Sequence, residues 1–353
     1  LAAVAELQPR GIVLAYTLHW QSSWREGSYG DFHRDLMEQY YPLFRLAGQS
    51  ASLESEHPFL LALVRYEAPF QAFFTGALKC LRLECPRLNA KTLVFHGKSS
   101  AVDMARHVLE ESLLPGASRV CREVHFRGGT ALRPELFEVE QEEPGGRQPR
   151  PTEQPRVVLV TGGARGILPK MLYELARDLP CRFVLTGRTP PMEPEFTAEQ
   201  LRDPRSLRAE LLSSKRASNP REAQGRVELA KRQREISDTV EVLSKVSEVE
   251  YHECDVSNAG MLEGIIEGLY ERFGRIDGVI HGAGVSCDKE MERQSLEEVT
   301  RVVSIKVLPL VVFARKLDFL SFDFFVELSA AASVLGNLRQ SSYAGAKAVV
   351  ERF

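Results

Sequence analysis

Arg156–Leu168 reads RVVLVTGGARGIL. Val157–Val160 is a β-branched and aliphatic run without polar alternation, the pattern of a strand buried on both faces. Thr161–Gly166 is a glycine-rich turn, and Met171–Leu179 (MLYELARDL) has helical apolar spacing. Strand, glycine turn and helix in that order form a βα unit. Its turn lets the backbone approach a phosphate, and its helix start offers free N–H groups and a positive dipole end. Leu168 stands where a third glycine often sits. The turn by itself is therefore equally compatible with a plain tight turn ahead of a helix.

The downstream stretches narrow the choice. RFVLTGR (Arg182–Arg188) is the next buried strand, and in dinucleotide folds the end of this strand lies beside the adenosine ribose. A carboxylate there would bind a 2′-hydroxyl, but TGRTPP has none; Arg188, with Arg165 in the glycine turn, suits a 2′-phosphate and favours NADPH over NADH. Residues 190–233 are a charged insertion with four prolines beyond Pro190, and Arg221–Val246 reads as a long surface helix with a solvated charged face. VEYHECDV (Val249–Val256) is a third strand ending at Asp255, which either accepts from an adenine amino group or caps the next helix in competition with Ser257. Its position on the same edge as the other turns favours the cofactor. DGVIHGAGVS (Asp277–Ser286) is a fourth strand that breaks at Gly282, Ala283 and Gly284, small residues that leave room for a nicotinamide ribose; His281 has a packing role. The candidate cofactor residues are Thr161, Gly162, Gly163, Arg165, Gly166, Ile167, Gly187, Arg188, Asp255, Val256, Gly282, Ala283 and Gly284. A helix over Ser295–Leu317 carries Lys306, Phe322–Ser333 reads as a fifth strand, and the closing GNLRQSSYAGAKAVVERF opens a helix.

Upstream, Gln141–Pro155 (QEEPGGRQPRPTEQP) is polar and rich in Pro and Gly, the composition of a linker. Before it, strand-like stretches (Gly11–Trp20, Phe59–Glu67, Lys91–Gly97) alternate with helical ones (Asp35–Gly48, Phe70–Glu84, Ala101–Leu114). Arg122–Leu136 has strand alternation around a Gly128-Gly129 turn or bulge. This alternation argues for a parallel sheet, yet none of its strands ends in a glycine-rich phosphate turn. His96 and His125 lie in strand-like runs as hydrogen-bonded structural histidines. The organisation is thus residues 1–140, a linker over 141–155, and residues 156–353.

The 353 residues, 44% hydrophobic, suffice for two cores. A net charge of −3 gives no footprint for nucleic acid or an anionic membrane, and no apolar run approaches a membrane span. The start, LAAVAELQPRG, lacks a Met and a signal-peptide pattern, so the chain reads as part of a longer polypeptide. Six cysteines without CxxC pairing read as reduced thiols of a cytoplasmic protein, and the eight histidines show no metal-ligand spacing.

Tyr343 and Lys347 are four apart on the last helix and share a face. An ammonium near a phenol stabilises the phenolate and eases proton donation to an alkoxide that forms as hydride reaches a carbonyl. YxxxK is common by chance, but here it follows TGGxxGI, TGR, DV and GAG in order. With these motifs the sequence resembles the short-chain dehydrogenase/reductase superfamily. The degenerate α/β half ahead of a catalytic half is similar to the two-part ketoreductase domain of type I polyketide synthases. VLVTGGARGI, VLTGR, IHGAGVSCDKEMERQSLEEVTRVVSIKV and VELSAAASVLGNLRQSSYAGAKA look most like polyunsaturated-fatty-acid-type and related iterative synthases.

The resemblance implies an α/β fold of two Rossmann-like subdomains, a degenerate structural half and an NADPH-binding catalytic half. It also implies further strands and a substrate lid beyond Phe353, so the C-terminal part reads as incomplete. The implied reaction is NADPH-dependent reduction of a β-ketoacyl thioester, presented by an acyl-carrier protein on a phosphopantetheine arm among neighbouring synthase domains. Tyr343 matches the proton donor and Lys306 the lysine of the preceding helix; Lys347 falls where polyketide ketoreductases have Asn and ordinary short-chain reductases have Lys. The catalytic serine lies thirteen positions before the tyrosine, which here is Ala330. Ser329 is its neighbour, and on a strand neighbours face opposite ways unless a bulge re-aims them. Ser329 acting from such a bulge, or a catalytically impaired scaffold of the same kind of synthase, are the two readings left open. Ser286-Cys287-Asp288 keeps the last Asp of the B-type motif and Leu335 replaces the A-type tryptophan, a lean to B-type.

Overall fold

The computed structural model describes residues 11–15, 28–50, 58–113, 123–135, 154–318 and 322–353. Most of the expected linker over 141–155, residues 16–20 of the first expected strand, and Cys121 lie outside them. Contacts divide the chain into two compact units: residues 1–146 with 284–315 and 329–353, and residues 147–283 with 316–328. Each contains an α/β sheet, as expected; the contacts also group the segments carrying Lys306 and Tyr343 with the first unit.

In the first unit, strands β1 (Gly11–Leu14), β2 (Phe59–Arg65), β3 (Asn89–Phe95) and β4 (Glu123–Arg127) pair in parallel, and β5 (Thr130–Leu132) closes antiparallel on β4. Gly128 and Gly129 both have positive φ, so they form the turn of this hairpin. FLLALVR and NAKTLVF are buried through their centres, where α2 (Phe73–Glu84) and α3 (Ala101–Leu113) pack on the sheet; α1 (Tyr29–Gln49) packs on α2. The same unit holds α8 (Leu296–Lys316, save its last residue), the short α9 (Ala331–Leu335) and α10 (Ser341–Arg352). Helices α2 and α10 meet at backbone distance. A Cβ on Gly76 would fall 2.1 Å from the Ala344 carbonyl oxygen, and one on Gly345 would fall 2.7 Å from the Phe73 ring. Small residues on both helices make that approach possible.

The second unit's sheet has the order β10-β9-β6-β7-β8, all parallel: β6 (Arg156–Thr161), β7 (Cys181–Gly187), β8 (Glu248–Glu253), β9 (Gly278–His281) and β10 (Phe324–Glu327). The order reverses at β6, the switch point where ligands bind in open α/β sheets. RVVLVT is buried at every residue. Its hydrophobic cluster takes in Leu168 and Leu172 of α4 (Leu168–Asp178) and Ile236 and Leu243 of α6 (Pro220–Leu243).

The charged insertion is more ordered than its composition suggests. Asp203 caps α5 (Pro204–Ser213) and Asn219 caps α6, with Pro at the first turn of each. Phe196, Leu207, Leu211, Ala217, Ala223, Val227 and Ala230 then make a small core of their own. The expected surface helix is therefore correct in extent but buries a stripe of mostly small residues. Helix α7 (Ala259–Phe273) is capped by Asn258, whose Oδ1 accepts from Met261 N–H, and not by Asp255 or Ser257. The fifth strand, expected over 322–333, ends at Glu327: Ala330 has extended backbone and serves as the N-cap residue of α9.

Candidate active site

The candidate dinucleotide residues lie in the second unit, at the carboxyl edge of its sheet. Backbone hydrogen bonds stitch the strand ends together: Gly162 N–H donates to Thr186 C=O (2.9 Å), Gly282 N–H to Thr161 C=O (3.0 Å), and Cys254 N–H to Gly187 C=O (2.8 Å). Thr161 Oγ1 and His281 Nδ1, both fully buried, share a 2.5 Å hydrogen bond, which gives His281 its packing role. Gly162 has φ +71°, and a Cβ there would fall 2.9 Å from the Ala283 backbone. The turn is thus pressed against the β9 loop where only glycine fits. Leu168, 2% exposed, explains the missing third glycine: a Cβ on Gly282 would fall 2.1 Å from Leu168 Cδ1, so the bulk has moved from one loop to the other.

An anion is seated on this turn. Glu235 of α6 accepts from Arg165 Nε (2.7 Å) and from Gly166 N–H (3.1 Å), where Gly166 has φ +72°. Burial raises the Glu235 pKa, but the hydrogen bonds from Arg165 and Gly166 outweigh it and hold the carboxyl below its usual range. The turn therefore fits a phosphate group by its donors as well as by its glycines. Arg188 is exposed at the end of β7 and has no ion pair among the described residues. Asp255 Oδ1 accepts from Ser257 N–H (3.0 Å) and Ser257 Oγ (2.6 Å), and Val256 beside it is buried. Among the described residues, no group of three or more His, Cys, Asp or Glu could hold a metal ion. No helix there is long and apolar enough to cross a membrane.

The candidate catalytic residues are in the first unit. Tyr343 is half-buried, and Lys347 Nζ sits 5.2 Å from its ring centroid. The four-residue spacing does place the ammonium beside the ring, over its face. Burial pushes the Tyr343 pKa above its usual value. Lys347 and Lys306 are 4% and 2% exposed. Ser329 lies just past the strand, so strand alternation does not govern it; its hydroxyl donates to Glu351, as does that of Ser333. Ala330 offers no hydroxyl in its place. Asp288, from the B-type motif, accepts from Gln340 Nε2 (3.0 Å) just before α10 begins.

A buried charge network that sequence reading missed braces this segment. Lys79 of α2 donates to Ser333 C=O (3.0 Å) and to Glu123 Oε2 (2.8 Å). Glu123 also meets His125 Nε2 (2.8 Å) and Arg352 at the end of α10 (3.4 Å), and His125 continues to His96 (2.8 Å). The only signal for it was the pair of histidines in strand-like runs. Glu235 had no signal, since it sits in a charge run that reads as solvated.

The KR domain family profile matches residues 157–353, more than half the chain and all of the motifs above. The chain belongs to the KR domain family. KR domains of the short-chain dehydrogenase/reductase superfamily use a reduced nicotinamide dinucleotide, which the second unit's sheet edge suits. Among curated relatives, the chain is 23% identical over 280 residues to polyketide synthase PksN of Bacillus subtilis (strain 168), covering 79% of this chain and 4% of that protein. It is 27% identical over 273 residues to one of the polyunsaturated fatty acid synthase subunits of Thraustochytrium sp. (strain ATCC 26185 / S-3), covering 72% of this chain and 10% of that one. The chain therefore spans a small fraction of these synthases. Its fold is shared with a ketoreductase domain from the bacillaene assembly line (TM-score 0.66, 21% identity, 97% of this chain and 74% of that one). It is shared also with an N-terminal ketoreductase from the macrolactin assembly line (TM-score 0.69, 19% identity, 100% and 63%).

Proposed function

We propose that this KR domain reduces a β-ketoacyl thioester, carried by an acyl-carrier protein of a polyketide or fatty-acid synthase, to the β-hydroxyacyl thioester with NADPH. The observation that carries the proposal is the Tyr343–Lys347 pair on one helix face inside the KR-family span. Hydride for the β-carbon is what the reduced dinucleotide supplies when bound. Tyr343, kept protonated through neutral pH by burial, gives its proton to the carbonyl oxygen as that oxygen becomes an alkoxide. Lys347 and Lys306, buried cations, stabilise the negative charge left on the phenol and return a proton to it. Arg188, together with Arg165, recognises the 2′-phosphate and selects NADPH over NADH. The oxygen that accepts the proton ends as the β-hydroxyl.

A second reading is a catalytically impaired scaffold domain. It is favoured by one observation: Ala330 has no hydroxyl and Ser329 is bonded to Glu351. Mass spectrometry of a carrier-bound β-ketoacyl thioester incubated with the domain and NADPH tests both. A product heavier by two hydrogens, lost in Tyr343→Phe, supports the reductase; unchanged substrate with the wild-type domain, under conditions where NADPH binds, supports the scaffold.

A further inference from the structure

Arg165 and Gly166 N–H, two donors of the glycine turn, both give a hydrogen bond to one carboxylate, that of Glu235, 70 and 69 positions away in the chain. That carboxylate is held by the fold. Ile236, the next residue, is buried in the cluster that contains Val160, Ala164 and Leu168 around the turn, so Glu235 is fixed at its lip. Arg188, by contrast, is exposed and has no ion pair among the described residues. The two cations expected to read a 2′-phosphate are therefore in different states, one neutralised and one available.

We propose that Glu235 is a specificity-determining gate on the dinucleotide site, occupying Arg165 in place of the 2′-phosphate and thereby restraining the preference for NADPH over NADH. The proposal rests on the reading of the glycine turn as a dinucleotide site. A carboxylate and a phosphate ester are both anionic acceptors of similar reach. They compete for the same guanidinium, and they repel each other if both stay near it. NADPH must displace Glu235 from Arg165, whereas NADH, having only a 2′-hydroxyl, leaves the pair in place. Arg165 and Glu235 are each 45% exposed at the side chain, so the gate is a modest one that salt weakens.

The test is a binding titration of the full chain, read by the fluorescence of the reduced nicotinamide, with NADPH and with NADH, for wild type, Glu235→Gln and Glu235→Ala. Both variants change an exposed side chain and keep the helix. The expected result is NADPH binding tighter by roughly two- to fivefold in both variants, with NADH unchanged, and a gain that shrinks when salt rises to about 0.5 M. Wild type that binds NADPH, with variants that bind it equally or more weakly, overturns the gate and makes Glu235 a prop for Arg165. Wild type and variants that bind neither dinucleotide overturn the underlying reading of the turn and the gate with it.

Discussion

Ser329 donates its hydroxyl to Glu351, near the far end of the helix that carries Tyr343. Ser333 donates to the same carboxylate, so the serine beside position 330 is tied into the brace of α10. We expect Ser329→Ala to leave reduction within about twofold, and Ala330→Ser to raise it by about 100- to 1000-fold, the usual worth of one transition-state donor. Initial rates of NADPH oxidation with a β-ketoacyl thioester check this. A collapse of the rate in Ser329→Ala would assign the donor role to Ser329 after all.

Tyr343→Phe removes the proposed proton donor and should lower turnover by about 10²- to 10⁴-fold while dinucleotide binding persists. Burial raises the phenol pKa from its ordinary 10, so the donor stays protonated throughout the neutral range. Turnover should be insensitive to Tyr343 ionisation from about pH 6 to about pH 9 and should lose the proton donor only above about pH 10. A limb in the wild-type kcat profile near neutrality that Tyr343→Phe abolishes would contradict this.

The buried network around Glu123 makes the first unit acid-sensitive. Burial raises the Glu123 pKa, but His125 and Lys79 outweigh it and bring it from 4.5 to about 2. A depressed carboxyl pKa contributes stability that is complete above 4.5 and is lost as pH falls toward 2. The shift corresponds to about 3 kcal/mol. His96 acts in the same sense: burial, then His125, lowers its pKa from 6.5, so acidification below that value also favours the unfolded chain. Glu123→Gln should cost about 3–5 kcal/mol at neutral pH and flatten the acid limb of thermal melts between about pH 4.5 and about pH 2. An unchanged limb in that variant would remove Glu123 as its source.

Leu168 shows that the missing third glycine is not a defect to be repaired. Leu168→Gly would leave a cavity between α4 and the β9 loop and put a glycine at the start of a helix, at a cost of about 3–5 kcal/mol. Chemical denaturation should show that loss, with no gain in NADPH affinity. A tighter-binding, equally stable variant would mean the leucine obstructs the turn.

The two parallel sheets were legible because buried strands such as RVVLVT and FLLALVR are unbroken apolar runs, and glycine turns mark where they end. The close of β10 was not, since SAAAS has no β-branched residue and no charge to signal where strand gives way to helix. The core within the insertion was hidden because the stripe that α6 buries is made largely of Ala and Val among many charges. At the site, the YxxxK spacing is local and readable. The Glu235–Arg165 and Lys79–Glu123 pairs join residues 70 and 44 positions apart, and no local period encodes them.

The near contact of Gly76 with Ala344 has an evolutionary consequence. A crossover between positions 84 and 341 would separate the last helix from the helix it packs on, and even one added methyl at position 76 would push on the segment that bears Tyr343. Descent should therefore tie the glycines at 76 and 345 together, so that shuffled chimeras survive only when the segments bearing Gly76 and Gly345 come from the same parent.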